Sequence, residues 1–410
     1  MTAHDPVHPS QTTCSHNRGL PGYPALLSAI ILLIGLFQAG CVPEVVRHEL
    51  PEKLAEQAVI PGIPHARFWG DKTPEGLQER LELLLENQRV DATGPISMLA
   101  ISGGGANGAF GAGLLKGWTE AGDRPKFHFV TGISTGALIA PFAFIGSEMD
   151  ARLEKFYTTT STEDLLTRRN RLLLLNIDSA TYSTPLRNIL LELFSPEFIE
   201  AIANEHRQGR RLFIGTTHLD AGRPMVWNLG AIAVSGRPDA GEWMADILLA
   251  SASIPGVFPP VLIQVEAGGE SYDEMHVDGG TVSQVFAYPP SLNIKSLRQD
   301  LQLKHREISI YVIRNSKLSP SWATVAPRIP AIAQRSIGVL IRSQGVGDVN
   351  QIYLRAKRDG INFNLAYIPT TFNVQSNEEF DPVYMRALFD LGYQLGREGY
   401  DWKTAPVGFE

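Results

Sequence analysis

A chain of 410 residues with 44% hydrophobic and 19% charged side chains has the make-up of a globular protein, with enough apolar material for one large core or two ordinary ones. Its formal net charge of −7, with no basic run, excludes an electrostatic nucleic-acid binder, whereas an acyl or apolar surface needs no net charge and stays open. The only cysteines are Cys14 and Cys41, so beyond residue 41 neither a disulfide framework nor a cysteine metal site is possible.

Residues 1–24 are polar, and the apolar run 25–37 that follows is shorter than the roughly 20 residues needed to span a bilayer. The run ends in Gln38-Ala39-Gly40-Cys41, and a short apolar run closed by small residues is the pattern of a secretory signal. With its cysteine directly after Ala-Gly, the stretch resembles a bacterial lipoprotein signal, although Gln38 stands where such signals usually carry leucine. The resemblance implies cleavage before Cys41, acylation of Cys41 and a membrane-tethered protein of the cell envelope. Val42 next to the cysteine favours the periplasmic face of the outer membrane. The alternative is an uncleaved anchor helix in which Cys41 is incidental. Residues 42–93 read as a linker leading into a charged helix over 74–88.

The body begins with a short apolar strand at 95–101 that runs into Ser102-Gly103-Gly104-Gly105-Ala106-Asn107-Gly108. Small and apolar residues at helical spacing occupy 109–121 and stop at Gly122, a good helix terminator. A second strand then ends in Gly132-Ile133-Ser134-Thr135-Gly136, followed by a small-residue helix: the sequence form of a nucleophile elbow. Residues 151–208 look mostly helical, with Thr184-Pro185 as a cap and first-turn pair, and are the place for a lid. Strands are expected at 212–219 and 225–229, a helix at 243–252 breaking at Ile254-Pro255-Gly256, and a strand pair at 261–265 and 272–277 closing on Asp278-Gly279-Gly280. A late core strand at 308–313, helical patterns at 322–345 and 382–397, and a strand at 362–368 complete the chain. Strands alternating with helices predict an α/β fold with a mostly parallel sheet covered on both faces, as one domain over about 94–400. Ligands of such sheets bind outside the strand C-terminal ends, where both glycine motifs fall side by side.

A serine hydroxyl needs a base to remove its proton, and acyl transfer needs donors aimed at the oxyanion. Ser134 is the candidate nucleophile. Asp278, set between an apolar strand and two glycines, is the best-placed acid. Gly103, Gly104 and Gly105 can present consecutive N–H groups at a helix N-terminus as an oxyanion hole. Two competitors remain at this level. Residues 103–108 also satisfy G-x-G-x-x-G, a dinucleotide-binding pattern serving an oxidoreductase, but that pattern wants an acid after the second strand and Asp123 lies before it. His218, His276 and His305 are candidate bases for a Ser-Asp-His triad, though none sits in a recognisable motif.

Taken together, Gly103–Gly108, then Gly132–Gly136, then Asp278-Gly279-Gly280, in that order, resemble the patatin-like phospholipases and lipid acyl hydrolases. Residues 252–260 look like that family's stretch shortly before the aspartate, and the resemblance covers about 97–290. It implies a three-layer α/β sandwich, a Ser134–Asp278 dyad with the glycine loop as oxyanion hole, a lipid or phospholipid substrate, and no metal or organic cofactor. Gly108, Gly132, Gly136, Gly279 and Gly280 support the motifs. Asn107 departs from the family, which usually carries a basic residue there, and reads as a helix cap; an amide can donate a hydrogen bond but no positive charge. A non-catalytic lipid- or partner-binding envelope lipoprotein is the further alternative, and oligomeric state is not legible.

Overall fold

A computed structural model describes residues 47–86, 94–168, 178–301 and 306–409. Cys14, the apolar run 25–37, Cys41 and His305 lie outside the described residues. The strands in chain order are β1 (Arg67–Trp69), β2 (Ile96–Ile101), β3 (Phe129–Ile133), β4 (Thr167–Arg168), β5 (Thr181–Tyr182), β6 (Arg211–His218) and β7 (Arg223–Asn228). They continue with β8 (Val261–Ala267), β9 (Glu270–Asp278), β10 (Ile308–Arg314) and β11 (Asn362–Tyr367). Nine of them form one sheet in the order β1-β7-β6-β3-β2-β10-β11, with β9 joined to β6 and β8 to β9; β4 and β5 pair apart.

From β6 to β11 neighbouring strands are parallel. Their composition explains it: β2, IleSerMetLeuAlaIle, is apolar almost throughout, as a strand buried on both faces must be. Alternation along the strand assigns the faces. Leu99 and Ile101 enter the larger core with Phe110, Leu114 and Ile139, while Met98 and Ala100 enter a second core with Ile310, Val312, Ile352 and Phe363. The first core is covered by helices Gly108–Ala121, Thr135–Ile145 and Pro382–Arg397, the second by the long helix Ile329–Asp359. The expected three-layer α/β sandwich is the fold observed. Helices Gly108–Ala121 and Pro382–Arg397 touch backbone to backbone: a Cβ on Gly117 would come within 2.1 Å of the Tyr393 carbonyl oxygen.

Two stretches differ from expectation. Within the expected linker, β1 pairs antiparallel with β7, and Ile60, Ile63, Ala66 and Trp69 are buried in the main core. The pattern there is too short and proline-broken to read as a strand, so its place is set by the edge of β7. The helix expected at 322–345 runs from Ile329 to Asp359. Pro320, Pro327 and Pro330 keep the chain extended until Pro330 can take a first-turn position, and Gly360 ends the helix in a left-handed conformation (φ 68°). Helix Thr184–Leu193 starts one residue earlier than expected, with Thr184 inside the first turn and Ser183 at the cap position.

Candidate active site

Both motif loops leave the C-terminal ends of adjacent parallel strands, Ile101 of β2 lying opposite Gly132 of β3. Strand β6 then acts as a ruler. Its Gly215 is opposite Ile133, the last residue before the elbow, and its next residue, Thr216, is opposite Asp278 at the end of β9. The parallel partner β3 stops, the antiparallel partner β9 takes over, and Ser134 and Asp278 meet at the change.

Ser134 sits at φ 55°, ψ −125°, a strained conformation for a residue with a side chain, and is nearly buried. Close packing enforces the turn: a Cβ on Gly136 would lie 2.3 Å from the Ile101 carbonyl oxygen, and one on Gly132 as close to that of Gly136. The Ser134 N–H donates to Ser251 Oγ (3.0 Å), whose hydroxyl donates to the Gly215 carbonyl (2.7 Å). The carbonyl of Ser253 accepts the Asp278 N–H at 2.8 Å. Residues 252–260 thus begin just after the serine that holds the elbow and include, in Ser253, the carbonyl that holds the acid.

The Asp278 carboxyl is buried; Oδ1 accepts the Gly280 N–H at 2.7 Å, while Oδ2 has no hydrogen-bond partner among the described residues. Loss of water pushes its pKa up to about 7, against the opposing pull of the Ser134 hydroxyl and the Gly280 amide. The hydroxyl is thus close enough to act on the carboxylate without yet forming a tight hydrogen bond to it, as is usual before substrate binds. Gly279 opens the turn against the Gly215 carbonyl, leaving no room for a side chain.

The glycine loop divides its amides. Gly103 is buried and its N–H donates to the Gln284 carbonyl at 3.0 Å, so it is not a free oxyanion donor, contrary to expectation. Gly104 is exposed and Gly105, at φ 57°, faces the same cavity as Ser134; neither N–H donates to a protein group among the described residues. The peptide joining Gly103 to Gly104 is held from behind. The Gly103 carbonyl accepts from Ser102 Oγ (2.8 Å) and from the buried Arg314 guanidinium (3.3 Å), which turns the Gly104 N–H outward. Burial lowers the Arg314 pKa to about 10, with Asp348 pulling the other way, so it is a cation at neutral pH. Asn315 completes the brace, its side-chain amide donating to the Ser102 carbonyl at 2.9 Å. Gln284 links the two loops, its Nε2 donating to the Gly280 carbonyl at 2.7 Å. Ser251, Gln284, Arg314 and Asn315 carry no local sequence signal; only the fold brings them here.

Asn107 occupies the cap position before helix Gly108–Ala121 but makes no capping bond; its Oδ1 accepts from the Tyr384 hydroxyl at 2.6 Å. Gly108 lets that helix approach Thr135 and Tyr157. His218 and His276 do not approach Ser134 but pair with the buried Glu274, at 3.4 and 3.1 Å. Asp123 precedes β3, at the end of the sheet away from the glycine loop, so the loop lacks the acid a dinucleotide site requires.

Above Ser134 lies a narrow cleft whose walls are largely apolar, among them Leu138, Phe156, Leu186, Phe258, Phe380 and Met385. Phe156, Tyr157, Leu165 and Leu186 come from the segment expected to be helical and to cover the site; it contributes walls from helices Asp150–Thr159, Thr162–Leu165 and Thr184–Leu193. A buried acid without a second partner, a strained serine, free loop amides and an apolar slot suit acyl transfer from an ester with a hydrocarbon chain.

A family model for patatin-like phospholipases matches residues 99–289. The cUMP-AMP-activated phospholipase of Escherichia coli is 26% identical over 221 residues, or 52% of this chain. The chain spans 62% of that relative's length. Among solved structures, VipD from Legionella pneumophila aligns with TM-score 0.36 and 11% identity over 89% of this chain and 72% of that one. The type III effector protein ExoU aligns with TM-score 0.19 and 14% identity over 74% of this chain and 53% of that one. The segment that holds the glycine loop, the elbow serine and the aspartate is thus similar to the patatin-like phospholipases over residues 99–289.

Proposed function

We propose that the protein hydrolyses carboxylic esters of lipids, phospholipids among them, through Ser134 and Asp278. The Asp278 carboxylate accepts the Ser134 proton as Oγ attacks the ester carbonyl, and the Gly104 and Gly105 amides receive the oxyanion. Collapse expels the alcohol, which takes the proton from Asp278 and leaves an acyl-serine. Water, deprotonated by Asp278, then attacks the acyl-serine and releases the fatty acid. The observation that carries the proposal is the buried, unpaired Oδ2 of Asp278 beside the Ser134 hydroxyl, at the floor of an apolar cavity.

The test supplies mixed phospholipid vesicles and a short-chain ester to the protein and to its Ser134→Ala variant, with released fatty acid measured by mass. Release by the parent alone, with a fall of about 10³-fold or more in the variant, is expected. Equal release by both would overturn the proposal. A fluorophosphonate probe, which labels activated serines, separates it from a non-catalytic lipid-binding role: Ser134 is expected to be labelled. Acylation of Cys41 and an outer-membrane, periplasmic location belong to the proposal on sequence grounds, and the mass of the mature N-terminus tests them.

A further inference from the structure

Directly after Arg314 and Asn315, the residues that brace the glycine loop, the chain leaves the body of the fold. Residues 308–347 contain no aspartate or glutamate, in a chain whose net charge is −7. Lys317, Arg328, Arg335 and Arg342 lie within them. The same stretch holds the largest run of exposed apolar side chains among the described residues. Trp322 is 97% and Ile329 83% exposed, followed by Leu340, Ile337 and Ile332. A soluble surface does not normally leave so many large apolar groups together in water.

The stretch is built as a unit. Arg335 donates to the carbonyl and hydroxyl of Ser321, tying the Trp322 segment back onto the first half of helix Ile329–Asp359. Along that helix Arg335 and Arg342, seven residues apart, share one side, and Ile329, Ile337 and Leu340 fall on the other. The second half is anchored at the site: Gly345 lies against the Arg314 guanidinium, and Asp348 Oδ2 accepts the Gln284 N–H at 2.6 Å. The projecting half therefore stands on the elements that carry the glycine loop.

We infer that Ser321–Arg342 is a surface-docking element that inserts Trp322, Ile329, Ile337 and Leu340 into an anionic lipid membrane, with Arg328 and Arg342 on the headgroups. Charge selects this occupant. A second copy of the chain would bring arginine to arginine with no acid in either stretch to pair with, whereas anionic headgroups match the cations and acyl chains match the apolar arc. Among the described residues no helix is long and apolar enough to cross a membrane, consistent with insertion into one surface. Docking is independent of the chemistry at Ser134 and goes beyond the proposed hydrolysis.

The experiment uses the full chain carrying Ser134→Ala, so lipid is not consumed and failure of the hydrolase proposal leaves the result readable. Trp322 emission, obtained by subtracting the Trp322→Phe protein, is followed on adding phosphatidylcholine vesicles with or without phosphatidylglycerol. A blue shift, quenched by lipids brominated on the acyl chain and strengthened by phosphatidylglycerol, is expected. Arg328→Glu with Arg342→Glu should weaken it by about tenfold or more, and Ile329→Ser with Leu340→Ser should abolish the quenching. These side chains are exposed, and far-ultraviolet circular dichroism checks that the variants stay folded. Vesicle binding with Trp322 emission unmoved would overturn the inference. So would a shift indifferent to charge reversal, or one that appears with protein concentration in the absence of lipid.

Discussion

At the scale of one residue, Asp278, as the proposed base, would couple stability to function. Its carboxyl is raised from 3.8 to about 7 by burial, and the base form needed to deprotonate Ser134 is the anion. The kcat/KM for a soluble short-chain ester should therefore fall about tenfold per pH unit below an apparent pKa near 7 and level off above it. A pH–rate profile on folded protein measures this, and a profile flat from pH 5 to 8 would remove Asp278 from the role of base. Stability runs the other way. Between pH 4 and 7 the folded state holds a proton that the unfolded chain has lost, so this group destabilises the fold progressively as pH rises, and the penalty is complete above 7. Asp278→Asn should abolish turnover yet raise the melting temperature at pH 8, and the gain should shrink toward pH 4. A rise from 3.8 to about 7 corresponds to at most about 4 kcal/mol.

At the scale of an element, the glycine loop works through the groups behind it. Arg314 does not itself line the cavity, but it donates to the Gly103 carbonyl and so aims the Gly104 N–H of the same peptide. Arg314→Met should lower kcat by about 10²-fold with little change in KM, since only the oxyanion-bearing state loses its donor. Arg314→Lys, which keeps the charge but not the fork, should recover part of the loss. Steady-state kinetics beside melting curves provide the check: equal losses in kcat for Met and Lys variants that melt at the parent temperature would rule out the polarising role.

For the whole molecule, β1 is joined to the body by its ladder with β7, by Ile60, Ile63, Ala66 and Trp69 in the main core, and by a buried ion pair. Arg67 of β1 meets Glu274 of β9, both side chains almost wholly removed from water, with His218 and His276 completing the cluster. Burial pushes the Glu274 carboxyl up, but His218, His276 and Arg67 outweigh it and hold the group well below the usual carboxylate range. Its contribution to stability is therefore present above about pH 4.5 and lost as the pH falls below that. Arg67→Met should cost about 3–5 kcal/mol in urea unfolding at pH 7, because it strands a buried charge. Adding Glu274→Gln should recover much of that cost. If the single variant unfolds at the parent midpoint, β1 is not held by this pair.

The sequence by itself determined everything whose cause is local. A Gly-x-Ser-x-Gly run between an apolar strand and a helix, an Asp-Gly-Gly turn and a glycine run before a helix permit these backbones, and alternating apolar strands and helices favour a covered parallel sheet. Ser134, Asp278, Gly104 and Gly105 could be named on those grounds, together with most element positions. Tertiary structure decided what depends on a partner far along the chain. The register of β6, one residue apart for Ile133 and Asp278, decides that serine and acid meet. The Gln284 carbonyl decides that Gly103 is not a free donor, Glu274 claims the histidines, and the edge of β7 turns an apparent linker into a strand. In each case the deciding term is a hydrogen bond or a desolvated charge between residues distant in the chain, and neither leaves a trace in local spacing or composition.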